Sequence, residues 1–151
     1  MKMVLLIAVA AFVVIQFFRP AKNLSSTPAG PEDVMALHPP SPEVREVLTR
    51  ACYDCHSNHT RYPWYAEVQP VAWWLDSHVR EGKAHLNFST FGTYDLRRQR
   101  HKLEEIVGEV EDGKMPLRSY RLAHADARLT PAEIAALIAW AEEAQDALAD
   151  R

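Results

Sequence analysis

The chain contains only two cysteines, Cys52 and Cys55, and they lie three residues apart. A disulfide between them would close a very short loop, so no disulfide can hold distant parts of the chain together. The chain has 151 residues, 48% of them hydrophobic and 25% charged, which suits one domain with its own apolar core. The fold must therefore rest on buried apolar surface and on whatever these two thiols bind.

The two cysteines belong to a C-x-x-C-H pentapeptide that ends at His56. Thiols at this spacing can add to the two vinyl groups of a haem, while the adjacent imidazole binds the iron. The pentapeptide therefore predicts one covalently attached haem c, with Cys52 and Cys55 as the thioether sites and His56 as the proximal iron ligand.

Three other kinds of site also use closely spaced cysteines. A redox site of the thioredoxin type requires a strand followed by a helix, whereas here the pair ends a helical pattern. A zinc site made from Cys52, Cys55, His56 and His59 would compress four ligands into eight residues. A structural disulfide would contribute little. These three remain alternatives to the haem.

Met115 is the candidate for the sixth, distal iron ligand. It precedes Pro116 in the turn after a predicted helix, and the proline stiffens a loop that can direct a thioether towards iron. His78, on the apolar face of a predicted helix, and His124 are the alternatives to Met115.

An aromatic-rich segment follows the pentapeptide directly and includes Trp64 and Trp74. Aromatic rings beside the attachment point would pack on a haem, exclude water and raise its reduction potential. We expect Trp64 and Trp74 to pack against the haem, with ordinary core packing as the alternative.

Four segments carry the apolar spacing of amphipathic helices, and no segment alternates with a strand period. The predicted helices cover residues 41–52, 70–82, 95–112 and 131–148. Ser41 is placed to cap the first, Gly113 to end the third, and Thr130 with Glu133 to form a capping box on the fourth. The sequence therefore predicts an all-α fold.

The N-terminal region begins with an apolar run of 16 residues, 3–18, interrupted only by Gln16. A helix of that length spans roughly 24 Å, somewhat less than a hydrocarbon core of about 30 Å. Because no small-x-small cleavage site follows, we predict an uncleaved signal anchor, a transmembrane helix over residues 1–19, rather than a cleaved signal peptide. Residues 20–40 are predicted to form a Pro-rich linker, and residues 41–151 the haem-binding domain.

Charge and composition exclude several function classes. Seventeen Lys and Arg stand against twenty Asp and Glu, a formal net charge of −3, with the two signs interleaved. Such a chain has no basic surface for a phosphate backbone, so nucleic acid is excluded as a partner. No acid/base dyad or second set of metal ligands is evident, so we expect no catalysis by this chain alone.

Several short blocks of sequence resemble a known family. They cover residues 52–58, 60–65, 70–73, 81–83, 85–89, 101–106 and 115–117. Over about residues 41–144 the chain resembles the bacterial haem-binding domain family of membrane-anchored monohaem c-type cytochromes. Its order of a helix leading into C-x-x-C-H, a late Met loop and a C-terminal helix is also similar to class I cytochrome c.

The resemblance implies a class I cytochrome c-like helical domain with an extended haem-covering segment. It also implies thioether bonds at Cys52 and Cys55, His56 as proximal ligand and Met115 as distal ligand. Together with the predicted anchor, it indicates a single-pass protein of the bacterial inner membrane whose haem domain lies in the periplasm. We expect it to carry single electrons between redox partner proteins, among them a membrane respiratory complex. The alternatives are a haem-based sensor or small-gas-binding domain, and a noncatalytic haem subunit of a larger respiratory complex.

Overall fold

A computed structural model describes residues 1–25 and 29–149, and over these residues the chain is all-helical, as predicted. The α-helices are α1 Lys2–Ile15, α2 Val34–Leu37, α3 Pro42–Ala51, α4 Tyr53–His56, α5 Val71–His85, α6 Leu96–Glu111, α7 Arg118–Ala123 and α8 Pro131–Ala149. Short 3-10 helices cover Trp64–Glu67, Phe88–Thr93 and Ala125–Ala127. Residues 26–28 of the predicted linker and residues 150–151 of the predicted domain lie outside the described residues.

The predicted helix ends are confirmed where the capping residues indicated them. Ser41 Oγ accepts a hydrogen bond from the Val44 amide at the start of α3, at 3.3 Å. Thr130 and Glu133 cap α8 reciprocally, because each backbone amide donates to the other side chain, at 2.8 and 3.3 Å. Gly113 adopts a φ of +66° just after α6, a conformation that glycine takes without strain. These caps satisfy polar groups that a helix end leaves unpaired.

The core lies where α3, α6 and α8 pack together, with α6 lying mainly against α8. The three helices supply Val44, Val47 and Leu48 from α3, Leu103, Ile106 and Val110 from α6, and Leu137, Trp140, Ala141, Ala144 and Leu148 from α8. Val34, Leu86, Phe88 and Phe91 complete this buried cluster. Because α3 runs through this core and ends at Ala51, the pentapeptide begins at the edge of the core.

The transmembrane helix predicted over residues 1–19 is wrong, and so is the single-pass inner-membrane location built on it. α1 has 14 residues, about 21 Å at 1.5 Å per residue. Within residues 1–25 and 29–149, no helix combines the length and the apolar character needed to cross a membrane. The helix ends at Ile15, and the side chain of the next residue, Gln16, accepts a hydrogen bond from the Gln69 amide at 2.9 Å.

The predicted Pro-rich linker, residues 20–40, makes several contacts with the helical domain. In its described part, the Ser25 amide donates to the Asn58 carbonyl at 2.8 Å. Val34, at the start of α2, is fully buried in the core, and the Trp140 indole donates to the His38 carbonyl at 3.0 Å. These contacts hold the described part of the segment against the folded unit.

Candidate functional site

One cavity, of about 570 Å³, collects the four residues predicted to bind the haem and its iron. Cys52, Cys55, His56 and Met115 all lie on its wall. Much of the remaining wall is apolar, with Leu48, Leu86, Phe88, Ile106, Val110, Pro116, Leu117 and Leu137. The volume and the apolar lining with a few polar groups are those of a small-molecule site.

The pentapeptide folds as a single helical turn, α4. The amides of Cys55 and His56 both donate to the Cys52 carbonyl, at 3.2 and 3.0 Å. α5 packs so closely on this turn that a Cβ atom at Gly82 would lie 2.7 Å from the Cys55 carbonyl oxygen. Glycine at this position therefore allows α5 to form the wall beside the two cysteines.

His56 is arranged as a neutral imidazole. Its Nδ1 lies 3.0 Å from the Leu86 carbonyl oxygen, which can only accept, so the ring proton is on Nδ1 and the lone pair is on Nε2. Burial lowers the pKa of His56, although hydrogen bonds to the Leu86 and Gly82 carbonyls oppose that change. A neutral ring whose other nitrogen donates to a carbonyl is the usual state of a histidine that binds a metal.

Both thiols are free and held in their protonated form. Burial raises the pKa of Cys52 to about 12 and that of Cys55 to about 11. A thioredoxin-type site needs the opposite, a thiolate with a lowered pKa, so these values argue against that alternative. His59 is exposed and its ring lies 3.3 Å from the Ser25 carbonyl, so the fold turns this fourth zinc ligand away from the thiols.

Asp54, between the two cysteines, is a buried residue that sequence reasoning missed. Its carboxylate accepts from Arg61 Nε at 3.1 Å and from a terminal Arg61 nitrogen at 3.0 Å. The Tyr120 hydroxyl donates to it at 2.6 Å, and Tyr120 itself lines the cavity. Nothing in the sequence marked Tyr120, since it lies 66 residues from Asp54.

Met115 lies on the cavity wall, half-buried against the core, just beyond α6. Its amide and that of Lys114 both donate to the Glu109 carbonyl, at 3.0 Å, which fixes the start of the loop to the end of α6. α6 itself reaches the same cavity through Ile106 and Val110. Met115 therefore reaches the cavity from the loop that follows the C-terminal end of α6.

The two predicted haem-packing tryptophans lie elsewhere. Trp64 is 80% exposed and Trp74 49% exposed, and neither belongs to the cavity wall. Phe88 and Tyr120 supply its aromatic rings instead. The Phe88 ring stacks on that of Tyr53, the second residue of the pentapeptide, at 5.1 Å between centroids.

The two histidine alternatives to Met115 take different places. His78 lines the cavity from α5, and its Nδ1 lies 2.8 Å from the Trp74 carbonyl. His124 lies outside the lining and stacks on the Tyr120 ring at 4.1 Å. Of the two, only His78 shares the cavity with His56.

The comparison with protein-family models agrees with this geometry. The model of the haem-binding domain matches residues 10–143, most of the chain, including all four predicted haem and iron ligands. The chain belongs to the haem-binding domain family. The predicted haem-binding function is therefore confirmed. No curated protein and no solved structure gives a significant match, so nothing in the comparisons supports the likeness to class I cytochrome c.

The cavity of the haem-binding domain has a lining and ligand atoms that suit a haem. A porphyrin is a large flat apolar body, and the wall that faces it is made of aliphatic and aromatic side chains. The two thiols and the neutral imidazole stand on one helical turn of that wall, and a thioether enters from another loop. Imidazole nitrogen and thioether sulfur are ligands that haem iron takes in proteins.

Proposed function

We propose that this protein is a monohaem c-type cytochrome that carries single electrons. The observation that supports the proposal is the meeting of Cys52, Cys55, His56 and Met115 on one largely apolar cavity wall. A haem iron bound there would supply a one-electron couple. The chain's own residues would attach the group, ligate it and exclude water. Its partners would be other redox proteins, and catalysis is not part of the proposal.

Cys52 and Cys55 would attach the haem covalently. Each S–H adds across one vinyl group, so that a C–S bond forms, the hydrogen passes to the vinyl carbon and nothing leaves. Both thiols are half-buried and line the cavity, so each is accessible to a group bound there.

His56 and Met115 would occupy the two axial positions. A neutral His56, oriented by the Leu86 carbonyl, offers its Nε2 without first losing a proton. The soft sulfur of Met115 favours ferrous iron and raises the reduction potential. With both positions filled by the protein, little reorganises when an electron arrives or leaves, which suits an electron carrier.

Intact mass under denaturing conditions tests the covalent attachment. The wild-type chain should carry the added mass of one haem and keep its colour on extraction with acidified organic solvent. The Cys52→Ala/Cys55→Ala double variant should lose both, whereas each single variant, which keeps one thioether, should retain the mass. A wild-type chain that releases all its colour to the solvent would contradict the proposal.

A haem-based sensor is the second candidate function. The loop that carries Met115 leads into α7, and none of the α7 residues is buried. A helix with so little buried surface can move at low cost, and displacement of the Met115 thioether with it would leave the sixth position to a small gas. Rapid carbon monoxide binding by the ferrous wild-type protein, unaffected by Met115→Ala, would favour the sensor over the electron carrier.

A further inference from the structure

The segment that bears Met115 contacts the rest of the domain through the buried Pro116, through hydrogen bonds to the end of α6 and through polar contacts of α7. Its start is fixed to α6 by the Met115 amide, which donates to the Glu109 carbonyl at 3.0 Å. After Met115 the chain passes through Leu117 into α7, a helix of six residues with none buried. Packing of apolar side chains therefore contributes little to holding α7, and its polar contacts decide where it lies.

Tyr120 connects α7 to a buried carboxylate of the domain. Its hydroxyl donates to Asp54 Oδ2 at 2.6 Å and also lies 3.1 Å from the Arg50 carbonyl oxygen. The Asp54 side chain is only 8% exposed. Arg61 holds the same carboxylate from the other side through both of its oxygens. Burial and the bond to Asp54 raise the pKa of Tyr120, which keeps its hydroxyl protonated and able to donate. A charged, buried acceptor makes this bond stronger than one between neutral groups.

This contact joins the two halves of the candidate site. Asp54 stands between Cys52 and Cys55, on the turn that would attach the haem, whereas Tyr120 lies five residues after Met115. Tyr120 and Met115 line the same cavity. When α7 moves away from Asp54, the loop that carries Met115 loses a hydrogen bond to the turn that would attach the haem.

We propose that Tyr120 is a positioning residue that holds Met115 at the cavity through its hydrogen bond to Asp54. The inference rests on the proposed function, because it has a spectroscopic consequence only where Met115 binds the haem iron. The Tyr120 ring also stacks on His124, at 4.1 Å, so the hydroxyl must be tested apart from the ring.

Tyr120→Phe removes the hydroxyl and keeps the stacked ring. A hydrogen bond to a charged group is worth about tenfold or more in an opening equilibrium. In the ferrous haem-loaded protein, carbon monoxide can bind the iron only after the Met115 thioether has dissociated. Its association rate should therefore rise about tenfold in Tyr120→Phe. The long-wavelength sulfur-to-iron band of the ferric protein should weaken in parallel, and amides of residues 115–123 should exchange hydrogen faster.

Tyr62→Phe is the matched control. The Tyr62 oxygen accepts a hydrogen bond from the Asn23 amide at 2.7 Å, and Tyr62 does not belong to the cavity wall. This variant should bind carbon monoxide like the wild type. A Met115→Ala background removes the ligand itself, so adding Tyr120→Phe there should change the rate less than twofold.

The possible failures are distinct. A wild-type protein without the sulfur-to-iron band would contradict Met115 ligation, and with it the role given to Tyr120. A wild type with the band, and a Tyr120→Phe variant that matches Tyr62→Phe in rate, band and amide exchange, would overturn the role of Tyr120 alone. If Tyr120→Phe raises the carbon monoxide association rate equally in the Met115→Ala background, the positioning role of Tyr120 is also wrong. The hydroxyl would then affect carbon monoxide binding independently of Met115.

Discussion

Substituting Gly82 with alanine should destabilise the protein, although alanine is the better helix former. Within a helix, alanine is favoured over glycine by about 1 kcal/mol. At this position in α5, however, the new Cβ would lie 2.7 Å from the Cys55 carbonyl oxygen and 3.2 Å from the Cys55 Cβ. The Cys55 carbonyl belongs to the backbone and cannot rotate away from the new Cβ as the end of a flexible side chain can. Overpacking of this kind costs about 1–3 kcal/mol. The expected net loss is up to about 2 kcal/mol.

Gly108 provides the matched control within the same protein. It lies inside α6, and a Cβ added there would meet nothing within 4 Å. Gly108→Ala should therefore stabilise the protein by about 0.4–1 kcal/mol, chiefly by restricting the unfolded chain. Urea unfolding of the haem-loaded wild type, Gly82→Ala and Gly108→Ala gives the three free energies, and the two substitutions should have opposite signs.

The Gly82 substitution should also disturb the site, because the atoms that it displaces belong to the pentapeptide. Gly82→Ala should carry less haem per chain than Gly108→Ala when both are produced in the same way. Equal stabilisation by both substitutions, with equal haem content, would refute the close packing of α5 on Cys55.

Three further outcomes are expected. Leu103→Ala, at a fully buried core position of α6, should lower the free energy of unfolding by about 2–5 kcal/mol in urea titration. The pKa of Glu133 is lowered, first because its carboxylate accepts a hydrogen bond from the Thr130 amide and also because it pairs with Arg50. The ionised carboxylate therefore stabilises the fold fully above the ordinary pKa of glutamate, and this stabilisation is lost as the pH falls through the lowered pKa of Glu133. Glu133→Gln should therefore flatten the pH dependence of the melting temperature below about pH 4.5, and an unchanged acid limb would contradict the α8 cap. Trp64→Ala should leave the absorption spectrum of the haem-loaded protein unchanged, because Trp64 is 80% exposed, and a shifted spectrum would mean that it reaches the cavity after all.

Local signals predicted the helical framework. Ser41, Gly113 and the pair of Thr130 and Glu133 mark helix ends through groups within a few residues of one another, and the structure places the ends there. The pentapeptide is equally local, since its chemistry is set by spacing along the chain. Features of this kind can be predicted from one sequence because their partners are near in sequence.

The features that escaped prediction depend on distant partners. The apolar run 3–18 indicated a longer helix, but α1 ends at Ile15, where Gln16 binds Gln69 and Arg19 pairs with Glu67. Val34 was assigned to a linker because prolines surround it, yet it is buried in the core. Periodicity cannot reveal such contacts, because they join segments tens of residues apart.

The direction in which a side chain points was also not predictable from the sequence. Trp64 is close to the pentapeptide in sequence, but it opens a short 3-10 helix and points to solvent. Tyr120 and Phe88, which do line the cavity, lie 64 and 32 residues from His56 and carried no local signal. Closeness to the pentapeptide in sequence therefore did not predict which aromatic side chains line the cavity.

The central claim is that Met115 and His56 bind one covalently held haem iron in the shared cavity. The absorption spectrum of the ferric protein at long wavelength tests it most directly, measured for the wild type, Met115→Ala and His78→Ala. His78 is the matched control because it lines the same cavity. We expect a weak sulfur-to-iron band in the wild type and in His78→Ala, and no such band in Met115→Ala. A wild type without the band, or a band that survives Met115→Ala, would contradict it.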